Sequence, residues 1–264
     1  MAFVQNEKDG LIYMSSDILP VFNAFSTRYG GVSTGQFESL NLSVSRGDSP
    51  ENVRENYRRF TALAGVGIDD CVVTRQVHGN EVKVVDASNR HKALSDTTFE
   101  ADGLVTCERK LPLICFTADC IPVLMCDPAA GVIAAVHCGW RSSAADILGR
   151  AVEKMAKLGA KPVNIYAALG PALGRCCFES DRDVPDALEI YLSGETEGLF
   201  DYRSDGKIMV DLRLANVTRL LQLGLNRNNI DVSKECTVCS HEKYFSHRYT
   251  KGLRGSLGAM IALG

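Results

Sequence analysis

The chain has 264 residues, 45% of them hydrophobic, and a formal net charge of −3. That is enough apolar material for a sizeable core, in one large domain or two tightly joined ones, and no basic block points to nucleic acid or a membrane surface. The first ten residues lack a basic stretch followed by an apolar core, so no secretory signal is expected, and no apolar run approaches the roughly 20 residues that span a bilayer.

In chain order, residues 1–50 read as short strands and turns punctuated by Gly30-Gly31 and Gly35. Residues 51–64 read as a helix, with Pro50 near its start and Gly65 ending it. Strands are expected at 71–74 and 81–85, flanking a turn that carries His78. Residues 87–100, including His91, are polar and read as an exposed loop, and residues 111–137 are rich in strand signals. Ser143 followed by Asp146 resembles a capping box. Ala144, Ile147, Leu148, Ala151, Met155 and Leu158 then repeat at helical spacing before a stop at Gly159. A buried strand over 164–169, a helix over 184–193, a strand over 207–212 and a helix over 213–223 closed by Gly224 follow. Strands near 230–236 and 256–262 finish the chain. No internal repeat or linker is visible, so the expected architecture is a layered mixed-sheet α/β or α+β fold, one unit over residues 1–264.

The segment with most chemistry is Cys120-Ile-Pro-Val-Leu-Met-Cys126, Asp127-Pro-Ala-Ala130 and Gly131-Val-Ile-Ala-Ala-Val-His137. Two apolar runs around a turn-rich loop signal a hairpin. Pairing Cys126 with Gly131 places Cys120 opposite His137, and opposed side chains stand about 4.5–5.5 Å apart at Cβ. A thiolate and an imidazole at that separation can share one metal, because Zn–S is about 2.3 Å and Zn–N about 2.0 Å. A catalytic zinc needs a third protein ligand and one open position, and His78 in Arg75-Gln-Val-His-Gly79 is the candidate. A lone histidine at a strand end is more often a satisfied core residue; the opposed cysteine favours the ligand reading. Asp119, beside Cys120, is either a ligand orienter or general base, or a loop aspartate that caps backbone amides.

Ten cysteines without a secretory signal suit a reducing cytosol, with most of them buried thiols. Cys236-Thr-Val-Cys239 could be redox-active or half a metal site, but no second C-x-x-C completes a four-cysteine set, so strand-end thiols are expected there. Of the adjacent Cys176 and Cys177, one is expected in the core and the other facing the site or a loop. Arg28 before Tyr29-Gly-Gly31, Arg141 after Trp140, and Arg75 and Arg46 near motif residues are candidate oxyanion holders, with surface salt bridges as the plain alternative.

Several motifs in one order carry a family resemblance. They are Arg75-Gln-Val-His-Gly79, Ala101-Asp-Gly-Leu-Val105, Thr117-Ala-Asp-Cys120, His137-Cys-Gly-Trp-Arg141, Leu169-Gly-Pro171 with Cys177-Phe-Glu179, Asp211-Leu near Asn216, and Phe245-Ser-x-Arg248. From about residue 22 to the C-terminus the chain resembles the bacterial YfiH/YlmD-type proteins, also called the laccase-domain or multicopper polyphenol oxidase family. The resemblance implies a layered mixed-sheet fold and a zinc held by His78, Cys120 and His137. It also implies a purine nucleoside enzyme, acting in phosphorolysis of adenosine, inosine and methylthioadenosine and in adenosine deamination; the lack of a secretory signal makes a cytoplasmic location the expectation. Its partners would be purine nucleosides and phosphate, with no nucleic acid or membrane, in a monomer or small homo-oligomer. On this reading Asp119, Cys120, Arg28 and Arg141 are catalytic, and Gln76, Thr117, Arg46 and Arg248 bind substrate. The sequence departs from the family pattern at Cys138, Ser142 and Arg175, and Arg254-Gly255-Ser256 stands where a Thr-Gly-Arg is usual. A family arginine contact to phosphate or substrate therefore falls to Arg254 or is absent.

Two other chemistries fit the same residues. A copper-dependent polyphenol oxidase would need many imidazoles, often paired as His-x-His, whereas the chain has five histidines and no such pair, although copper could replace zinc at an N/S site. A cysteine hydrolase that edits amides, such as those of cell-wall precursors, would use Cys120 as nucleophile and His137 as base. A structural zinc closed by Cys138 or His247 is a third possibility.

Overall fold

The computed structural model describes residues 3–90 and 99–264. The loop expected around His91 falls partly outside them. In chain order the elements are β1 (Phe3–Lys8), β2 (Leu11–Ser16), β3 (Phe22–Ser26), α1 (Pro50–Ala62), β4 (Val82–Val84), β5 (Gly103–Thr106), β6 (Leu113–Thr117), β7 (Ile121–Asp127) and β8 (Val132–Cys138). They continue with α2 (Trp140–Ala144), α3 (Ile147–Lys157), β9 (Tyr166–Leu169), β10 (Glu179–Ser180), α4 (Asp183–Tyr191), β11 (Phe200–Tyr202), β12 (Ile208–Val210), α5 (Leu212–Gln222), β13 (Ile230–Val232), α6 (His247–Thr250) and β14 (Leu257–Ala262).

A five-stranded antiparallel sheet runs β1-β2-β3-β14-β6. A mixed six-stranded sheet runs β13-β9-β7-β8-β5-β4, parallel only at its two edges. A small sheet, β10-β12-β11, lies beside them. The layered mixed α/β expectation holds, and its reason is visible in the central hairpin β7/β8, where all seven residues of each strand are buried. Successive side chains of a strand point to opposite faces. Val123, Met125, Val132, Ala134 and Val136 pack with α3, α4 and α5, while Leu124, Cys126, Ile133 and Ala135 pack against Phe25, Leu257 and Ile261 of the antiparallel sheet. The far face of that sheet, through Ile114 and Met260, meets Val53, Tyr57 and Phe60 of α1. The order of layers is thus helix, sheet, sheet, helices. Among the described residues no helix is long and apolar enough to cross a membrane.

Three expectations change. The strand expected at 71–74 is reduced to an isolated bridge, Val72 with Leu113. The hairpin register differs by two: Cys126 pairs with Ile133 and Pro122 with His137, so Cys120 falls just outside β7, at the level of Gly139. The cause is the turn. The Asp127 carboxylate accepts from the amides of Ala129 (2.9 Å) and Ala130 (3.1 Å), Gly131 takes φ +65°, and pairing begins only at Asp127–Val132. A slip of two preserves the faces, so Cys120 and His137 remain on one side as diagonal rather than direct neighbours. The helix expected from Ser143 is instead two, α2 and α3, broken at Asp146, which adopts φ +60° and caps α3 by accepting from the Gly149 amide at 3.1 Å. Arg219 holds that carboxylate in place through two contacts of 2.9 and 2.6 Å.

Candidate metal centre

His78 sits in a turn with φ +59° between the Arg75–Glu100 bridge and β4. One buried carboxylate moulds the turn: Asp102, at the mouth of β5, accepts from the amides of Val77 (3.0 Å), His78 (3.0 Å) and Gly79 (2.9 Å). The same carboxylate meets His137 Nδ1 at 2.8 Å, and the Asp102 carbonyl accepts from the His137 amide at 2.8 Å. A carboxylate on one ring nitrogen fixes the tautomer and turns the other nitrogen outward as a ligand. Burial pushes the Asp102 carboxyl up, but the imidazole and amide donors outweigh it, and the group lies below its usual pKa.

Cys120 is delivered by an abrupt turn at Asp119, φ +88°, immediately before β7. Its Sγ lies 3.9 Å from His78 Nε2. The His78 and His137 rings meet edge to face with centroids 4.8 Å apart. Gly139 makes room for the group, since a Cβ there would stand 3.2 Å from both Cys120 Sγ and His78 Cδ2. Burial pushes the Cys120 thiol up, yet His137 and His78 beside it bring it down to about 6. Burial pulls the His137 imidazole down, while Cys120 and Asp102 raise it to about 9.

The three ligand atoms lie within 4.8 Å of one another. Around a tetrahedral zinc, sulfur and nitrogen would stand about 3.6 Å apart, from bond lengths of about 2.3 and 2.0 Å. Donor chemistry, spacing and the Asp102 support all fit zinc. The triad opens onto a cavity of about 520 Å³ between the ends of the two large sheets.

Of the residues expected to bind substrate, Arg46, Gln76, Thr117 and Arg248 line this cavity, as does Asp119. Gln76 is locked in place, donating to the Phe116 carbonyl (2.7 Å) and accepting from its amide (2.6 Å). Asp119 accepts from Thr237 Oγ1 and from the Arg248 amide, both at 2.6 Å, so it tethers the C-terminal segment as well as facing the site. Arg28 and Arg141 are not among the lining residues. Arg28 donates to the carbonyls of Glu38 (2.6 Å) and His241 (3.3 Å) and covers the Phe245 ring, which ties a loop to the C-terminal segment. Arg141 is exposed and lies 4.2 Å over the Trp140 ring.

Three residues at the site carried no assigned role on sequence grounds beyond the hints already given: Asp102, His247 and Arg254. Asp102 lay inside a quoted motif, Ala101-Asp-Gly, but nothing in one dimension shows that four backbone amides and an imidazole meet around it. Arg254 is 9% exposed, and its Nη1 donates to the Gly255 carbonyl (3.0 Å) and Ser256 Oγ (2.7 Å). Its buried Nε has no partner. Burial, with Arg46 adding repulsion, lowers its pKa to about 10, so it remains charged at neutral pH. Burial, then Arg254 and to a smaller extent Arg46, push His247, at the cavity wall, below its usual value. Arg46, Arg248 and Arg254 against one lining carboxylate, Asp119, make the lining cationic, Arg75 being ion-paired with Glu100, while Phe116, Trp140 and Phe178 supply flat apolar walls.

Comparison with known proteins gives a consistent result. Residues 22–264 match the family described as multi-copper polyphenol oxidoreductase laccase. The chain is 35% identical over 240 residues, 89% of its length and 88% of the relative's, to the purine nucleoside phosphorylase YlmD of Geobacillus stearothermophilus. It is 34% identical over 231 residues, 85% of its length and 87% of the relative's, to the adenosine deaminase RL5 of an unknown prokaryotic organism. The crystal structure of YlmD from Geobacillus stearothermophilus superimposes with a TM-score of 0.93 at 33% identity, covering 98% of both chains.

Proposed function

This chain belongs to the multi-copper polyphenol oxidoreductase laccase family, and from that premise we propose that it is a zinc-dependent purine nucleoside enzyme. It splits adenosine, inosine and methylthioadenosine with phosphate to the free base and a ribose 1-phosphate, and it also deaminates adenosine. Relatives named purine nucleoside phosphorylase and adenosine deaminase support both halves of this reading. The observation that carries it is one cavity with a two-histidine, one-cysteine set, four arginines and flat apolar walls.

Arg46, Arg248 and Arg254 hold the phosphate. An arginine fork suits its oxygens, and the Arg254 guanidinium is held in the cavity wall by its Nη1 donating to the Gly255 carbonyl and Ser256 Oγ. Phe116, Trp140 and Phe178 take the face of the purine. His78, Cys120 and His137 would hold a zinc, which when bound would supply Lewis acidity. Asp102 keeps His137 aimed at it. Asp119 is the proton acceptor for deamination: a carboxylate has about four lone-pair sites, and the contacts from Thr237 and Arg248 occupy two. The family name carries copper, but among the described residues the metal-capable clusters hold two imidazoles between them. That is too few for a multicopper centre. All ten cysteines are free thiols, and the cytosol is the compartment that keeps them so.

The test is to incubate protein of measured zinc content with inosine or adenosine, with and without phosphate, and to separate the products. Inosine is expected to yield base and ribose 1-phosphate only when phosphate is present, and adenosine to yield inosine without it. Zinc-loaded protein that releases no base in the presence of phosphate would refute the phosphorolysis.

A further inference from the structure

A second group of sulfurs lies away from the cavity triad. The turn 174–178, after β9, carries Cys176 and Cys177, and the turn 236–240, after β13, carries Cys236 and Cys239. The two turns are stitched together by a parallel bridge between Ala172 and Cys236 and by the Thr237 amide donating to the Ala172 carbonyl at 3.0 Å. All four Sγ atoms fall within 4.8 Å of one another. Cys239 Sγ is 3.6 Å from Cys176 Sγ and 3.5 Å from Cys177 Sγ. A tetrahedral zinc with four sulfurs at about 2.3 Å sets them about 3.8 Å apart. A disulfide needs about 2.05 Å. The observed spacing therefore matches the edge of a coordination tetrahedron.

Two further features shape a thiolate site. Gly174 donates its amide to Cys236 Sγ at 3.3 Å, and a Cβ at Gly174 would come within 3.4 Å of the sulfurs of both Cys176 and Cys236. A side chain there would crowd the sulfurs, and glycine leaves them room. Arg213 runs beneath the two turns, its Nη2 donating to the carbonyls of Ala172 (2.6 Å) and Glu235. Its buried Nε has no partner.

We propose that Cys176, Cys177, Cys236 and Cys239 form a second, closed metal site that takes one zinc-class divalent cation. Binding displaces the thiol protons to solvent, and four S–metal bonds form with no change of oxidation state. Four thiolates around a divalent ion leave a charge of −2, which Arg213 partly balances. The Gly174 amide aimed at Cys236 Sγ favours the thiolate form that a metal needs. A bound cation takes the place of the thiol protons, so metal binding at this site releases protons. The ion would fasten the strand-end turn bearing the cavity walls Leu173 and Phe178 to the segment that leads on to His247, Arg248 and Arg254. This site is independent of the nucleoside reading.

Zinc content measured on reductively purified protein tests it. The wild type is expected to retain about two equivalents, and His78→Ala and the double variant Cys176→Ser/Cys239→Ser about one each. The double variant alters two exposed residues, so loss of fold is checked by circular dichroism rather than assumed. Cobalt is the second readout. His78→Ala protein loaded with cobalt alone should show sulfur-to-cobalt charge-transfer bands, and adding the two serines should abolish them. A single zinc lost with His78→Ala and untouched by the serines overturns the proposal. So does peptide mapping that finds Cys239 in a disulfide in the reductively purified chain.

Discussion

The two sulfur-bearing clusters of this molecule invite a direct comparison. The cavity triad has two imidazoles and one thiolate, a carboxylate behind it and arginines in front. The four-thiol corner has only sulfur, gathered from two surface turns. With a zinc in each, the first carries about +1 and keeps a place for water or an anion, while the second carries about −2 and is complete. On the proposed readings, the first arrangement would attract phosphate and activate a ligand, and the second would hold two chain segments together. Ligand count and net charge separate chemistry from bracing here, because the donor types overlap.

The largest expected break comes at the cavity. His78→Ala should lower kcat/KM for phosphorolysis by at least about 10³-fold, about 4 kcal/mol of transition-state stabilisation, while leaving the zinc of the four-thiol corner bound. Loss of all metal in that variant would erase the distinction between the clusters. Asp102→Asn keeps the shape but removes the charge behind His137, and should weaken zinc at the cavity by about 10–100-fold, read by competition with a chromogenic chelator.

Arg254→Met should raise the KM for phosphate by about 10–100-fold, because a hydrogen bond to a charged group contributes about 1.5–3 kcal/mol, with little change in the KM for nucleoside. A rise in both would place Arg254 in the fold rather than at the phosphate.

Alkylation sharpens the contrast further. The Cys120 thiol is held near 6, below its usual value of 9.0, so the metal-free protein carries its thiolate at neutral pH. Iodoacetamide should modify Cys120 of metal-free protein at pH 7 and progressively less as the pH falls through about 6, and zinc should protect it. Equal reactivity with and without zinc would favour the cysteine nucleophile over the metal ligand. The smallest effect is expected from Arg141→Ala. Its guanidinium lies over Trp140 and off the cavity lining, so kcat/KM should change less than about twofold. A larger loss would return Arg141 to the phosphate site.

Much of this was legible in one dimension. Apolar runs longer than a half-buried strand would carry announced the central hairpin, and helical spacing announced α1, α4 and α5 within a residue or two. The hairpin register was not legible, because it depended on how the Asp127 carboxylate and Gly131 close the loop. The break between α2 and α3 was equally hidden. Asp146 leaves the helical region only because Gly149 offers an amide and Arg219, from a helix far along the chain, clamps its carboxylate.

The sequence by itself determined which side chains could bind a soft cation, that Cys120 and His137 would sit on one face of neighbouring strands, and that the layers would be mixed. A local period or a strand alternation is a property of consecutive residues, so it can be read without the fold. Only the tertiary structure decided that Asp102 unites the two histidines, that Arg254 joins the cavity lining, and that Cys176 and Cys177 meet Cys236 and Cys239. Those meetings join residues 24 to 63 or more positions apart. They are set by the stacking of two sheets and the closure of loops between them, and loop closure depends so weakly on length that no sequence spacing announces it.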